Sequence, residues 1–525
     1  MKESLIILGA GVMQGPAIKI AKELGFYAIA LDANPYAPCV SQADRFEQID
    51  LKDKEKIEAF ARSLQNSYGR VGIMTAGTDF SASVAWTAER LGLPGLPYEA
   101  ALNASDKARM RACFKKEGVP SPDFAIITEA DGLENAPLPF PLVVKPVDNM
   151  GSRGCRRVDG VEEFQKAAED ALRFSRSGRV IVETYMEGPE FSVDAIVYHG
   201  KIAICGLADR HIFFPPYFVE MGHTMPSMIE TEKQEAMLET FCKGVRALGL
   251  AGEESVGAAK GDIKLTPDGP MIGEIAARLS GGYMSGWTYP YSSGAEPVRA
   301  AILMAMGREP DCLAPVKNWT SAERAFISIP GTVKSIIGTG EAEKQPYVKN
   351  LFLRVTEGSA VTFPENNVTK CGNVIAAAPD RGEAVQAAEA AARSILIRLD
   401  PADKATAAFL SNARNDGASF PPSAFQISGE MKKALSQILE FPPPCDASKA
   451  SIAPFPALAS SGLKDYAGRT IGENLDAVRL LTGFSLPESF ENAENKEMLG
   501  RSFWEALIRG SYQGAVYYMD NLRKQ

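Results

Sequence analysis

Histidine is scarce in this sequence: only His199, His211 and His223 occur among 525 residues. A metal site built on imidazoles or a Ser-His-Asp hydrolase has little material here. Paired cysteines are missing too. Cys39, Cys113, Cys155, Cys205, Cys242, Cys312, Cys371 and Cys445 lie far apart with no C-x-x-C spacing. That pattern argues against a disulfide framework or a thiolate zinc site and reads as reduced thiols in a cytoplasmic protein. No apolar run nears the roughly 20 residues of a membrane helix. Basic charge is not in excess, with 56 Lys+Arg against 65 Asp+Glu and a net charge of −9. A broad nucleic-acid footprint is therefore not expected, although one local pocket for a phosphorylated small molecule remains compatible. The opening run Leu5–Gly11 is too short for a signal-peptide core, so it is expected to be a buried first strand.

What is present reads as several modules, as this length predicts. Over 1–103, short apolar strands (Ser4–Leu8, Tyr27–Leu31, Val71–Ala76) alternate with helices, the rhythm of a doubly wound parallel sheet. Residues 104–315 mix helices with strands and hairpins. A helix is expected to begin at Ser105 as N-cap, and hairpins to turn at His199-Gly200 and at Pro267-Asp268-Gly269. Residues 316–400 are β-rich and close with a helix over Glu383–Leu399. Residues 401–525 carry Pro421-Pro422 and Pro442–Pro444, then helical stretches. The fold class is thus mixed α/β and α+β.

Three stretches carry chemistry. In the hairpin Asp262–Glu274, a three-residue turn pairs Thr266 with Pro270 and hence Asp262 with Glu274. Opposed carboxylates repel unless a cation lies between them, and hard oxygen donors suit Mg²⁺, with Mn²⁺ as a substitute. Two solvated acids on a surface hairpin is the plainer alternative. Lys145 ends an apolar strand and is followed by Asn149-Met-Gly151-Ser152-Arg-Gly154, small residues that let backbone N–H groups approach phosphates. An ordinary glycine turn is the alternative there. Glu183-Thr184-Tyr185-Met186 closes another strand, where backbone could edge an adenine, and Glu190 follows seven residues after Glu183 to accept from ribose hydroxyls.

Taken together, Lys107, Lys145, the glycine loop, Glu183…Glu190, Asp262, Glu274 and Arg278, in that order, resemble the ATP-grasp superfamily over about residues 1–400. The chain looks similar to glycinamide-ribonucleotide synthetase, carbamoyl-phosphate synthase, biotin carboxylase and L-amino-acid ligases. This resemblance implies an N-terminal doubly wound pre-ATP-grasp domain, a two-lobed nucleotide-binding core and a β-rich C-terminal lobe; the helical extension over 401–525 lies outside it and is expected to cap the site or to mediate homo-oligomers. By resemblance, Lys107 and Lys145 contact phosphates, Gly151, Ser152 and Gly154 form the lid loop, and Glu183, Thr184, Tyr185 and Met186 line the adenine. Glu190 then holds the ribose, Asp262 and Glu274 bind Mg²⁺, and Arg278 holds the acyl-phosphate. Glu220, His223, Gly281 and Gly282 fall where related ligases approach small carboxylate and amine substrates. The implied activity is an ATP-dependent carboxylate–amine ligase, with Arg278 and Lys145 acting on the transferred phosphoryl group.

One departure stands out. Many members carry Glu-x-Asn where this chain has Glu274-Ile-Ala276, which puts a second metal in doubt. It also admits a nucleotide-binding regulator that has lost catalysis, although Lys145, Asp262, Glu274 and Arg278 are retained. Gly9-Ala-Gly11 with Asp32 invites a dinucleotide reading, but Gln14 stands where the third glycine belongs.

Overall fold

The computed structural model describes residues 2–131, 133, 135–411, 420–441, 451–484 and 498–522. Cys445 and Pro442–Pro444 lie outside the described residues. The chain divides into two compact units: Met1–Phe213, Glu220–Glu323 and Ala376–Val385 form the first, and Phe214–Val219, Arg324–Ile375 and Gln386–Gln525 the second. Among the described residues, no helix is long and apolar enough to cross a membrane.

The first unit opens with four parallel strands, β1 (Glu3–Leu8), β2 (Tyr27–Asp32), β3 (Arg45–Gln48) and β4 (Arg70–Thr75), in the order β3-β2-β1-β4. Helices α1 (Gly15–Glu23), α2 (Lys54–Gln65) and α3 (Ser81–Leu91) connect or follow them. Leu5 and Ile7 contribute to one hydrophobic cluster while Ile6 and Leu8 contribute to another, so the strand is apolar on both faces. The carboxyl ends of β1 and β4 deliver the loops at Gly9 and Gly77.

After α4 (Tyr98–Ser105), Asp106 rather than Ser105 caps α5 (Lys107–Glu117), its carboxylate accepting from the N–H groups of Ala108 and Arg109. The reason is local: the Ser105 hydroxyl is donated backwards to the Ala101 carbonyl, which leaves it inside the preceding helix. A four-stranded sheet follows, built from β5 (Phe124–Thr128), β6 (Leu142–Pro146), β7 (Arg156–Val158) and β8 (Arg179–Thr184), covered by α6 (Val161–Phe174) between β7 and β8. The next strands are β9 (Glu190–Tyr198), β10 (Lys201–Phe213) and β11 (Val219–Met225), then β12 (Val256–Thr266) and β13 (Gly269–Ala276) beyond α7 (Thr231–Ala247). They lie in the order β13-β12-β9-β10-β11. Phe241, Ile263, Ile272 and Ile275 pack in the core beneath them.

In the second unit the expected helix Glu383–Leu399 stops at Ser394, and Leu396–Leu399 forms a strand paired antiparallel with Gly331–Ile337. The reason is burial: Ile395, Leu396, Ile397 and Leu399 are all buried around the single charged Arg398, a short apolar-rich segment that suits an interior strand. The tail completes this lobe's core. Phe425, Phe455, Phe503 and Trp504 cluster with Leu396, the Tyr512 hydroxyl oxygen accepts from the Ile397 N–H at 2.8 Å, and Gln513 Nε2 donates to Ser328 and to the Ile397 carbonyl. A chain truncated after Leu399 should therefore fail to give a folded second unit, read as loss of cooperative unfolding for its aromatic residues. A truncated chain that keeps the native transition contradicts this.

Candidate active site

The hairpin reaches the expected carboxylate pairing by a different route. Its turn has two residues, with Thr266 opposite Gly269 and Leu265 opposite Pro270, a register that alone would put Asp262 against Gly273. A bulge at Gly273 shifts the pairing by one and restores Asp262 opposite Glu274. The extra residue is useful: the Gly273 carbonyl accepts from Arg111 Nη2 at 2.6 Å.

Around this pair the cations are fixed by buried acids. Glu183 is 2% exposed and holds Arg111 Nε at 2.8 Å and Lys145 Nζ at 2.7 Å. Burial pushes the Glu183 carboxyl up, but the two cations outweigh it and hold it below the usual carboxylate range. Lys107 Nζ donates to the Asn149 carbonyl at 2.9 Å and stands 3.6 Å from Glu274. Burial pulls the Lys107 ammonium down, yet Glu274 and Asp79 bring it above its ordinary value on balance. Gly151, Ser152 and Gly154 all have φ between 61° and 69°, so the expected lid loop is a run of left-handed turns beside these ammonium groups.

For the expected adenine stretch, the N–H groups of Thr184 and Tyr185 are donated to the carbonyls of Asp123 and Pro141 at 3.0 Å each. The Tyr185 ring lies between Arg157 and Lys264, 4.4 and 4.8 Å from its centroid, and Lys264 Nζ donates to the Met186 carbonyl. Lys264 is thus a neighbour of this stretch that the sequence does not single out.

A second cluster forms around Arg210. Its guanidinium meets Glu190, Glu220 at 2.6 Å and Asp262 at 3.0 Å. Lys260 pairs with the other Asp262 oxygen, and Ser192 Oγ donates to Asp262 Oδ1 at 2.8 Å. Burial raises Asp262 but Arg210 and Lys260 hold it low. His223 is buried with Nε2 3.5 Å from Glu220 and Nδ1 3.1 Å from Glu323. Gly282 (φ 61°) backs onto the same pair: a Cβ there would lie 3.0 Å from Glu220 Oε1 and 3.1 Å from His223 Cε1. Gly282→Ala should cost about 1–3 kcal/mol through its left-handed backbone alone, measured by urea denaturation. No loss of stability contradicts that geometry.

Arg278 leaves β13 toward the parallel sheet. Ala76 bridges Leu279, Gly77 N–H donates to the Leu279 carbonyl, and Arg278 Nε lies 3.7 Å from Asp79. That Nε is buried and makes no hydrogen bond, while Nη1 donates to the Leu279 carbonyl. The glycine turn after β1 is closed differently from a dinucleotide site. Gln14 accepts from the Gly11 N–H and donates to the Ala76 carbonyl, and a Cβ on Gly9 would meet its side chain at 2.9 Å. Both Asp32 oxygens accept backbone N–H groups, from Ala10 and Asn34, so neither faces a ribose alone.

Residues 138–285 match the ATP-grasp domain, and residues 325–400 match the L-amino acid ligase C-terminal domain 2. The chain thus carries an ATP-grasp domain followed by a domain of the kind found at the C-terminus of L-amino acid ligases. L-amino acid ligase from Bacillus licheniformis matches with a TM-score of 0.65 at 22% identity, over 76% of this chain and 99% of that one. Carnosine synthase 1 of Gallus gallus is 24% identical over 335 residues, 59% of this chain and 36% of its own length. D-alanine–D-alanine ligase B of Pseudomonas putida is 28% identical over 172 residues, 31% of this chain and 53% of its own. The chain thus spans 36% and 53% of those two relatives.

Proposed function

We propose that this protein uses ATP to phosphorylate the carboxylate of an amino acid or similar small acid and joins the acyl-phosphate to the amine of a second substrate. ADP and phosphate are released. The observation that carries this is the Asp262–Glu274 pair, set within reach of Lys107, with Lys145 fixed on Glu183. A carboxylate acylates poorly because its leaving group is an oxide; phosphorylation turns that oxygen into a leaving group. Such a transfer needs positioned cations more than a protein nucleophile, which suits a site of few histidines.

The donor set fits Mg²⁺. Asp262 and Glu274 offer only oxygens, and Glu274 keeps a side-chain exposure of 31%. No group of three or more metal-ligating side chains is present among the described residues, so phosphate oxygens and water would complete the shell. When bound, Mg²⁺ would neutralise charge on the transferred phosphoryl group. We read one such ion, not two. Ala276 supplies no ligand, and its cross-strand partner Lys260 sets an ammonium on Asp262 where a further cation would otherwise sit. Titration with Mn²⁺ in the presence of ADP should give one ion per chain in the electron paramagnetic resonance signal, and two ions would contradict this.

The amine is expected at Glu220, His223 and Glu323, whose buried carboxylates suit an ammonium group. Relatives named as L-amino acid ligase, carnosine synthase and D-alanine–D-alanine ligase support amino acids on both sides of the bond. None of the three favours a regulator without catalysis. A cytoplasmic homo-oligomer acting on small molecules, without nucleic-acid or membrane partners, completes the reading. The test is incubation with ATP, Mg²⁺ and pooled amino acids: ADP and phosphate are expected, and Glu274→Gln should abolish their formation. AMP and pyrophosphate would mean adenylation and overturn the reading.

A further inference from the structure

Asp194 is a charged residue at the centre of a sheet, fully buried on β9, and no step above uses it. A carboxylate in such a position is costly unless it is hydrogen-bonded. Both of its oxygens are spent on one residue: Oδ1 accepts the Ser280 N–H at 3.1 Å and Oδ2 accepts the Ser280 hydroxyl. Ser280 is held from its other side as well, since Ser285 Oγ donates to its carbonyl at 2.8 Å. The Asp194 N–H is donated to the Tyr289 hydroxyl at 3.1 Å, and that hydroxyl donates to the Gly206 carbonyl at the bulge in β10.

Ser280 lies two residues after Arg278 and immediately before Gly281-Gly282-Tyr283, where φ is positive at both Gly282 and Tyr283. A segment with two consecutive left-handed residues does not keep its shape unless its flanks are pinned. On the upstream side the Leu279 carbonyl takes the Gly77 N–H and the Arg278 Nη1. Next to it, still upstream, Asp194 holds Ser280, and from the downstream side Ser285 Oγ ties back to the Ser280 carbonyl.

We propose that Asp194 is a positioning residue for phosphoryl transfer. It fixes Ser280 and thereby sets the Arg278 guanidinium and the Gly281-Gly282 backbone relative to the carboxylates on β12 and β13. The inference rests on the role given to Arg278 above. Lys260 links the two levels of the site, since it is the cross-strand partner of Asp194 and pairs with Asp262.

The test is a double-mutant cycle between Asp194→Asn and Arg278→Lys, with ATP affinity measured separately by titration. Asparagine keeps the size and one acceptor but cannot accept the Ser280 hydroxyl proton. Asp194→Asn should lower kcat by about 100-fold, as small misplacements of catalytic groups do, with ATP affinity within about twofold of the parent. In the double variant the loss should fall well short of the product of the two single losses. Multiplying effects, or an ATP affinity that falls as far as kcat, would overturn the inference. Should Asp194→Asn not fold, Ser280→Ala removes one hydrogen bond from the loop side and should lower kcat about tenfold with the same non-additivity. An unchanged kcat in Ser280→Ala would overturn it too. Full activity in Arg278→Lys alone would instead overturn the role of Arg278 and the inference with it.

Discussion

Alanine at position 278 should lower kcat by about 10²–10³-fold while leaving the affinity for ATP nearly unchanged. The expectation comes from the donors of Arg278. Nη1 anchors the side chain on the Leu279 carbonyl, whereas Nε is buried without a hydrogen bond and 3.7 Å from Asp79. A buried donor left unpaired is costly, and a site pays that cost where a ligand completes the bond. The charge that develops as phosphate leaves ATP for a carboxylate is such a ligand. Steady-state kinetics with separately measured ATP binding checks this. A variant whose ATP affinity falls while kcat holds would place Arg278 on the nucleotide's resting state instead.

Glu183→Gln should destabilise the first unit by about 3–5 kcal/mol, because it leaves the Arg111 and Lys145 cations facing a neutral amide. Arg111 and Glu183 are 1% and 3% exposed at their side chains, so water does not screen the loss. The sign with pH follows from the depressed carboxyl of Glu183. Its contribution is present above the unfolded value, about 4.3, and is lost as pH falls through the lower folded value. Parent and variant should therefore differ most in Tm near neutrality and converge in acid. Equal melting temperatures at neutral pH would mean that the triad does not hold the two cations in place.

Much of this site was legible in the sequence because it depends on strand pairing. The Asp262–Glu274 pair followed from counting along a hairpin, although the count succeeded through two compensating errors: a turn one residue shorter and a bulge one residue longer. The same counting misplaces the partner of Arg210, a residue that with His211 falls where related ligases approach the substrate. From the turn where Tyr198 meets Lys201, even pairing sets Arg210 against Pro189, and only the shift between Ile204 and Gly206 brings it opposite Glu190. Bulges break the period of two without leaving a strong compositional mark, and Gly206 was the one available hint. Glu183 read as the edge of an adenine site because it ends an apolar strand. Its partnership with Arg111, 72 residues away, has no local signal. The fold itself was plain where apolar runs alternate with helices. It misled at Leu396–Leu399, where a short apolar-rich segment interrupted only by Arg398 fits helix and strand alike.

The central claim is that an acyl-phosphate forms, and oxygen transfer tests it most directly. With a substrate whose carboxylate carries ¹⁸O, one labelled oxygen per turnover should appear in the inorganic phosphate, because the oxygen that accepts the phosphoryl group departs with it. Label found in AMP, or phosphate free of label while product forms, would contradict the account.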